Sequence, residues 1–189
     1  IFDQDTIVPV DYLFTLTNNL YRYKNEYLFV PRLRQGDILI SPCKYHYKKG
    51  VGLKNIPIGI NKLKGRSFLN SGIVINTELF NKVNGYYEDV RLYFSDFVFI
   101  DKLRAYIKSF VLIDCNFVHL MSSNDESDLD LFYNRLMLYC KGAKEASKYS
   151  NIFGKIVYFM ICFLRVLKKA IKHKDFNMFR CLKPFFVYV

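Results

Sequence analysis

Ile1-Phe2-Asp3-Gln4-Asp5-Thr6 sets two carboxylates one residue apart at the end of an apolar step, a spacing that lets both converge on one hard cation. Carboxylate oxygens suit Mg²⁺ or Mn²⁺, which bind through one or two acidic side chains together with the phosphate oxygens of a substrate. Because α/β sheets place ligands beyond the carboxyl ends of their strands, Asp3 and Asp5 are candidate metal ligands in a phosphate-handling site. The alternative for this pair is a solvated turn after a strand. A second acidic position, Asp96, closes Leu92-Tyr93-Phe94-Ser95-Asp96 at the mouth of a helical pattern. There it would act as a general base, as the helix N-cap, or as both, since each role needs an ionised carboxylate. Asp101 stands about a turn and a half further along such a helix, where it would point elsewhere or pair with Lys102 or Arg104.

Other polar residues are candidates of a softer kind. His119 lies between Val118 and Leu120, a setting that suits a satisfied core histidine. Asn70-Ser71-Gly72 offers small polar groups and a glycine that lets backbone approach a ligand closely, or an ordinary turn into the following strand. Glu88 and Asp89 would bind hydroxyl groups of a ligand or sit in a solvated loop.

The elements that must position these residues follow from periodicity. Pro9 and Asp11 open a helix with apolar positions Leu13, Leu16 and Leu20, ending near Tyr23. Residues 27–30 and 38–40 read as short buried strands, and 44–64 as a basic loop. A strand at 73–75 precedes a short helix at 77–83 stopped by Gly85. Helical spacing runs over 96–107, strands over 110–113 and 117–120, and Ser127-x-x-Asp130 resembles a capping box before a helix with Phe132, Leu136, Cys140 and Ala143 on its apolar face. No repeat or low-complexity linker interrupts the 189 residues, enough for one core-bearing domain. At 51% hydrophobic residues the composition excludes a disordered chain. Five cysteines without C-x-x-C spacing exclude a zinc ribbon and a disulfide framework, and reduced buried thiols are expected.

Charge is unevenly placed. Residues 141–189 carry eleven Lys and Arg against Glu145 and Asp175, a net +9 of the total +11. The basic residues interleave with an apolar run, 156–164, that is shorter than the about 20 residues a membrane-spanning helix needs. Two readings fit: an interfacial helix with Lys168, Lys169, Lys172 and Lys174 on anionic lipid, or an amphipathic helix packed on its own domain. The tail lacks the aromatic signatures of nucleic-acid modules, so nucleic acid is not an expected partner.

Taken in order, Phe2-Asp3-Gln4-Asp5-Thr6, Ile40-Ser41-Pro42, Asn70-Ser71-Gly72, Phe80 with Gly85-Tyr86-Tyr87-Glu88, Leu92-Tyr93-Phe94-Ser95-Asp96, His119-x-x-Ser122 and Tyr133-Asn134-Arg135 resemble the family 2 glycosyltransferases, in particular those that build bacterial capsule, O-antigen and other cell-surface polysaccharides. The resemblance covers roughly residues 1–145 and rests on order and spacing rather than on any single element. It implies an α/β fold of the GT-A kind, with a mixed sheet, flanking helices and C-terminal amphipathic helices. The chain would be the C-terminal portion of that fold, starting at the metal-binding motif (1–148), followed by a basic helical tail (149–189). It implies metal-dependent and inverting transfer from a nucleotide-sugar donor to a glycan or lipid-linked acceptor, on the inner face of the plasma membrane. Asp5 would be the closer ligand of Mn²⁺ or Mg²⁺, Asp3 would hold the metal or the ribose, and His119 would reach the metal or the pyrophosphate. Asn70, Ser71, Gly72, Glu88, Asp89 and Ser122 would line the donor and acceptor. Asp96 would be the base, although Phe97 and Val98 stand where many members carry a further acidic residue.

Two rival classes stay on the table. In a haloacid-dehalogenase-type phosphatase Asp3 would be the nucleophile and Asp5 the general acid, with Ser41 and Asp101 as later motifs; Asn70-Ser71-Gly72 and Tyr133-Asn134-Arg135 would then have no purpose. A non-enzymatic, basic membrane-binding protein would leave the acidic pair without one.

Overall fold

Phe110-Val111-Leu112-Ile113 offers no polar side chain to solvent, the pattern of a strand covered on both faces. In the computed structural model it lies inside a mixed sheet, and all four residues are fully buried. The structure describes residues 2, 6–119 and 128–187, with His119 through its backbone only. The chain is an α/β protein of two units, Ile1–Gly85 with Phe99–Met121, and Tyr86–Val98 with Ser122–Val189.

The first unit is built on the sheet. Its strands are β1 (Thr6–Ile7), β2 (Leu28–Gln35), β3 (Ile38–His46), β4 (Lys49–Leu53), β5 (Gly59–Lys62), β6 (Arg66–Ser67), β7 (Val74–Ile75) and β8 (Ser109–His119), in the order β1-β8-β2-β3-β4, with β5 on β8, β6 on β3 and β7 on β2. β2 and β8 run parallel; the other pairs are antiparallel. Helix α1 (Tyr12–Arg22) packs on β8, where Tyr12 joins Phe29, Leu33, Val111, Ile113, Cys115 and Phe117 in one apolar cluster. The alternation of Val111, Ile113, Cys115 and Phe117 puts them all on that face. Helix α2 (Thr77–Lys82) starts where the Asn76 side chain accepts from Leu79 N.

Two expectations are corrected here. The basic stretch 44–64 is not a loop, because it contains β4 and β5, whose lysines alternate with apolar or small residues and leave the strands through their exposed positions. The strands expected at 110–113 and 117–120 are one, because Asp114 and Asn116 face outward from a continuous β8 and Asp114 pairs with Arg32 at 2.8 Å on neighbouring β2.

Helix α3 (Ser95–Leu103) supplies Ser95–Val98 to the second unit and Phe99–Leu103 to the first. The second unit is otherwise helical, with α4 (Leu129–Ser147), α5 (Ile152–His173) and a 3₁₀ segment (Phe176–Phe185). Asp128, not Ser127, caps α4, accepting from Leu131 N at 3.0 Å; Ser127 lies outside the described residues. Phe132, Leu136, Cys140 and Ala143 of α4 are buried as their spacing required, together with Tyr158, Cys162 and Val166 of α5. The small residues Cys140, Ala143 and Cys162 let the helix axes approach, and the hydrogen bond between the thiols of Cys140 and Cys162, together with burial, pushes Cys162 far above an ordinary thiol. All five cysteines are buried and free.

Candidate functional site

The two described residues that bracket Asp3-Gln4-Asp5 are both anchored at the carboxyl end of β8. Thr6 opens β1 and lies opposite His119 in the antiparallel register, with Ile7 opposite Val118. Phe2, before the acidic pair, rests its ring 6.2 Å from Phe117 and 5.8 Å from Tyr12. Asp3, Asp5, Ser122 and the side chain of His119 lie outside the described residues. Among the described residues no group of three or more His, Cys, Asp or Glu is gathered as for a metal ion.

Asn70-Ser71-Gly72 is brought to the same strand end. Ser71 is fully buried and its Oγ donates to Thr6 Oγ1 at 2.8 Å, tying the turn to the residue that follows Asp5. Gly72 has φ +74, and a Cβ there would stand 2.3 Å from Phe117 Cε2 and 2.8 Å from Pro31 Cγ, so only glycine meets both demands. Its carbonyl accepts from Tyr12 Oη at 2.9 Å. Burial, with Cys115 nearby, pushes the Tyr12 phenol up to about 12, which keeps it a donor at neutral pH. Phe117 therefore sits under Phe2, Tyr12 and Gly72 together. Sequence reading singled out the glycine but not Tyr12 or Phe117, whose apolar spacing signals only a core.

Asp96 belongs to the second unit and is set by an unusual backbone. Phe94 has φ +70, a left-handed conformation that costs a non-glycine residue about 1–2 kcal/mol, and its carbonyl accepts the first helical bond from Val98 N. Packing holds it there. The Phe94 ring lies 4.9 Å from Tyr139 and 5.4 Å from Tyr158, and Gly142 is close enough to Tyr93 that a Cβ would stand 2.9 Å from its carbonyl oxygen. Asp96 thus falls in the first turn of α3, where the helix dipole favours the ionised carboxylate, and accepts from Ser95 Oγ at 3.2 Å.

The other acidic candidates have structural partners. Asp101 accepts from Lys48 Nζ at 2.8 Å and from Tyr45 Oη at 3.4 Å, and is paired with Arg104, which also donates to the Arg66 carbonyl and covers the Tyr45 ring. Of its two expected partners, Arg104 is one and Lys102 is not: Lys102 Nζ donates instead to the Gly85 carbonyl at 2.6 Å. Asp89 accepts from Tyr149 Oη at 2.8 Å and Lys148 Nζ at 3.4 Å, while the Tyr149 ring stacks on Tyr87. Partial desolvation pushes its carboxyl up, but those two hydrogen bonds and the Lys148 charge outweigh it and hold Asp89 below the ordinary value. Glu88 is exposed, and its carbonyl accepts from Arg91 Nε.

No family model, no curated protein and no solved structure matches this chain.

Proposed function

We propose that this chain is a GT-A-type glycosyltransferase that moves a sugar from a nucleotide-sugar donor to a cell-surface glycan or lipid-linked acceptor. The observation that carries the reading is the double anchoring of the Asp3-Gln4-Asp5 segment, through Phe2 and Thr6, at the carboxyl end of β8 beside Asn70-Ser71-Gly72. That is where α/β sheets hold nucleotides. Carboxylates from Asp3 and Asp5, with His119 opposite the neighbouring Thr6 in the strand register, form a donor set that fits Mn²⁺ or Mg²⁺. When bound, such an ion offsets the negative charge that grows on the departing diphosphate.

The chain's own residues do the rest. Ser71 and the Gly72 backbone shape the floor on which the donor sugar lies, and Tyr12 fixes that floor by its bond to the Gly72 carbonyl. An Asp96 carboxylate oxygen takes the proton of the acceptor hydroxyl as the new glycosidic bond forms. The phosphatase reading fares worse, because its two later motif residues are occupied: Ser41 is buried and accepts from Leu69 N, and Asp101 is held by Lys48 and Arg104.

Titration calorimetry with UDP and GDP in Mn²⁺ tests the donor side. Asp5→Asn should abolish the metal-dependent part of nucleotide binding, and unchanged metal-dependent affinity removes the acidic pair from the site. Asp96→Asn, which keeps shape and capping ability but cannot take a proton, should leave nucleotide affinity near the parent's. It should slow sugar transfer by about 10²-fold or more. Parent-like turnover in Asp96→Asn refutes the assignment of the base.

A further inference from the structure

Two rows of side chains, two residues apart and each advancing in steps of four, run the length of α5. Gly154, Tyr158, Cys162, Val166 and Ala170 form the first row and are buried in the second unit. Ile152, Ile156, Met160 and Leu164 form the second, 74, 54, 42 and 56% exposed, and the same row continues into exposed Lys168 and Lys172. A helix packed on its own domain needs one apolar face. This one has two. The outer face is bordered by charge of one sign only, for no Asp or Glu occurs between Glu145 and Asp175, while Lys155, Arg165, Lys168, Lys172 and Lys174 are exposed along the helix. Lys169 differs, since its ammonium sits 5.2 Å over the Phe132 ring. No helix among the described residues is long and apolar enough to cross a membrane.

We propose that the outer row of α5 docks flat on an anionic lipid bilayer, with Ile152, Ile156, Met160 and Leu164 in the acyl boundary and Lys168 and Lys172 at the headgroup phosphates. An apolar stripe ending in lysines is the shape of an interfacial helix. A second copy of the chain would meet this face with the same positive charge, whereas anionic lipid complements it. Of the four lysines that the sequence suggests for lipid, the structure commits Lys169 to the protein and leaves Lys168 and Lys172 on the apolar row.

Co-sedimentation of the whole chain with phosphatidylglycerol and with phosphatidylcholine vesicles tests this without reference to sugar transfer. The parent should partition onto the anionic vesicles. Ile156→Ser with Leu164→Ser should lower that affinity at least about tenfold, since each removes exposed apolar surface that the bilayer would cover. Lys168→Gln with Lys172→Gln should lower it by about fivefold for each lysine in low salt and by less as salt rises. Lys169→Gln should change it little. Helicity by circular dichroism identifies any serine variant that has unfolded, in which case the glutamine pair, which touches no packed residue, decides. Equal partition of the parent onto both lipids, or parent-like binding by folded serine and glutamine variants, overturns the proposal. A parent dimer in ultracentrifugation that the serine variant dissociates, with no vesicle binding, assigns the face to a second copy and overturns it as well.

Discussion

Gly72→Ala measures how tightly the candidate donor floor is held. Two costs add at this position. At φ +74 an alanine pays about 1–2 kcal/mol for the left-handed backbone. Its Cβ would also stand 2.3 Å from Phe117 Cε2 and 2.8 Å from Pro31 Cγ, and Phe117 is fully buried, so the ring has no open space to move into. Overpacking of that kind costs typically 1–3 kcal/mol. The expected loss is therefore about 2–5 kcal/mol, a large share of the about 5–15 kcal/mol that stabilises a folded domain. Gly65→Ala is the internal control, because Gly65 has φ +71 with nothing within 4 Å of the added Cβ, so it isolates the backbone cost. Urea unfolding followed by tyrosine fluorescence should place Gly72→Ala below Gly65→Ala by at least about 1 kcal/mol. Phe117→Leu, which removes the ring atoms in the way, should recover part of the gap in the double variant and show a positive coupling. Equal losses for Gly72→Ala and Gly65→Ala would refute the argument that Phe117 and the Asn70-Ser71-Gly72 turn are packed as one.

Asp101→Asn should destabilise the chain by about 1 kcal/mol in denaturant titrations, through Lys48 and Arg104, while leaving nucleotide affinity unchanged; loss of transfer without loss of stability would move the base from Asp96 to Asp101. Because the folded state holds the Asp89 carboxyl below its unfolded value, its contribution is complete above about pH 4 and is lost as pH falls through the folded value. Tyr149→Phe keeps the ring that stacks on Tyr87 but removes the hydrogen bond to Asp89. Its stability deficit relative to the parent should thus be present at pH 7 and close under acid conditions, and a deficit that widens as pH falls refutes this sign.

How much was legible in the sequence varies with the range of the interaction. Local signals worked well: α1 and α2 fall where capping and apolar spacing put them, and Phe132, Leu136, Cys140 and Ala143 are all buried. The α/β class followed from the same signals. β8 was split because Asp114 and Asn116 look like a break, when one partner, Arg32, comes from a strand far away in sequence. The Lys48 to Asp101 pair and the close approach of Gly142 to Tyr93 depend on tertiary neighbours that periodicity cannot reveal. Phe94 is the clearest case, since no propensity assigns phenylalanine to positive φ and only the surrounding Tyr139 and Tyr158 rings keep it there.

The position of β8 in the chain has a consequence for how the protein is made. β8 is the last strand to be synthesised, yet it fills the middle of the sheet, pairing with β1, β2 and β5, the latter two through Phe29 opposite Val111 and Gly59 opposite Leu112. As the polypeptide leaves the ribosome, the β2-β3-β4 meander can form from near neighbours, but one edge of β2 then waits with unpaired backbone groups until residue 119 has emerged. A sheet closed by its most distant strand folds slowly and presents an adhesive edge in the meantime. During synthesis this chain should therefore depend on chaperones more than its length alone suggests, and nascent chains halted before β8 should aggregate where those halted after it do not.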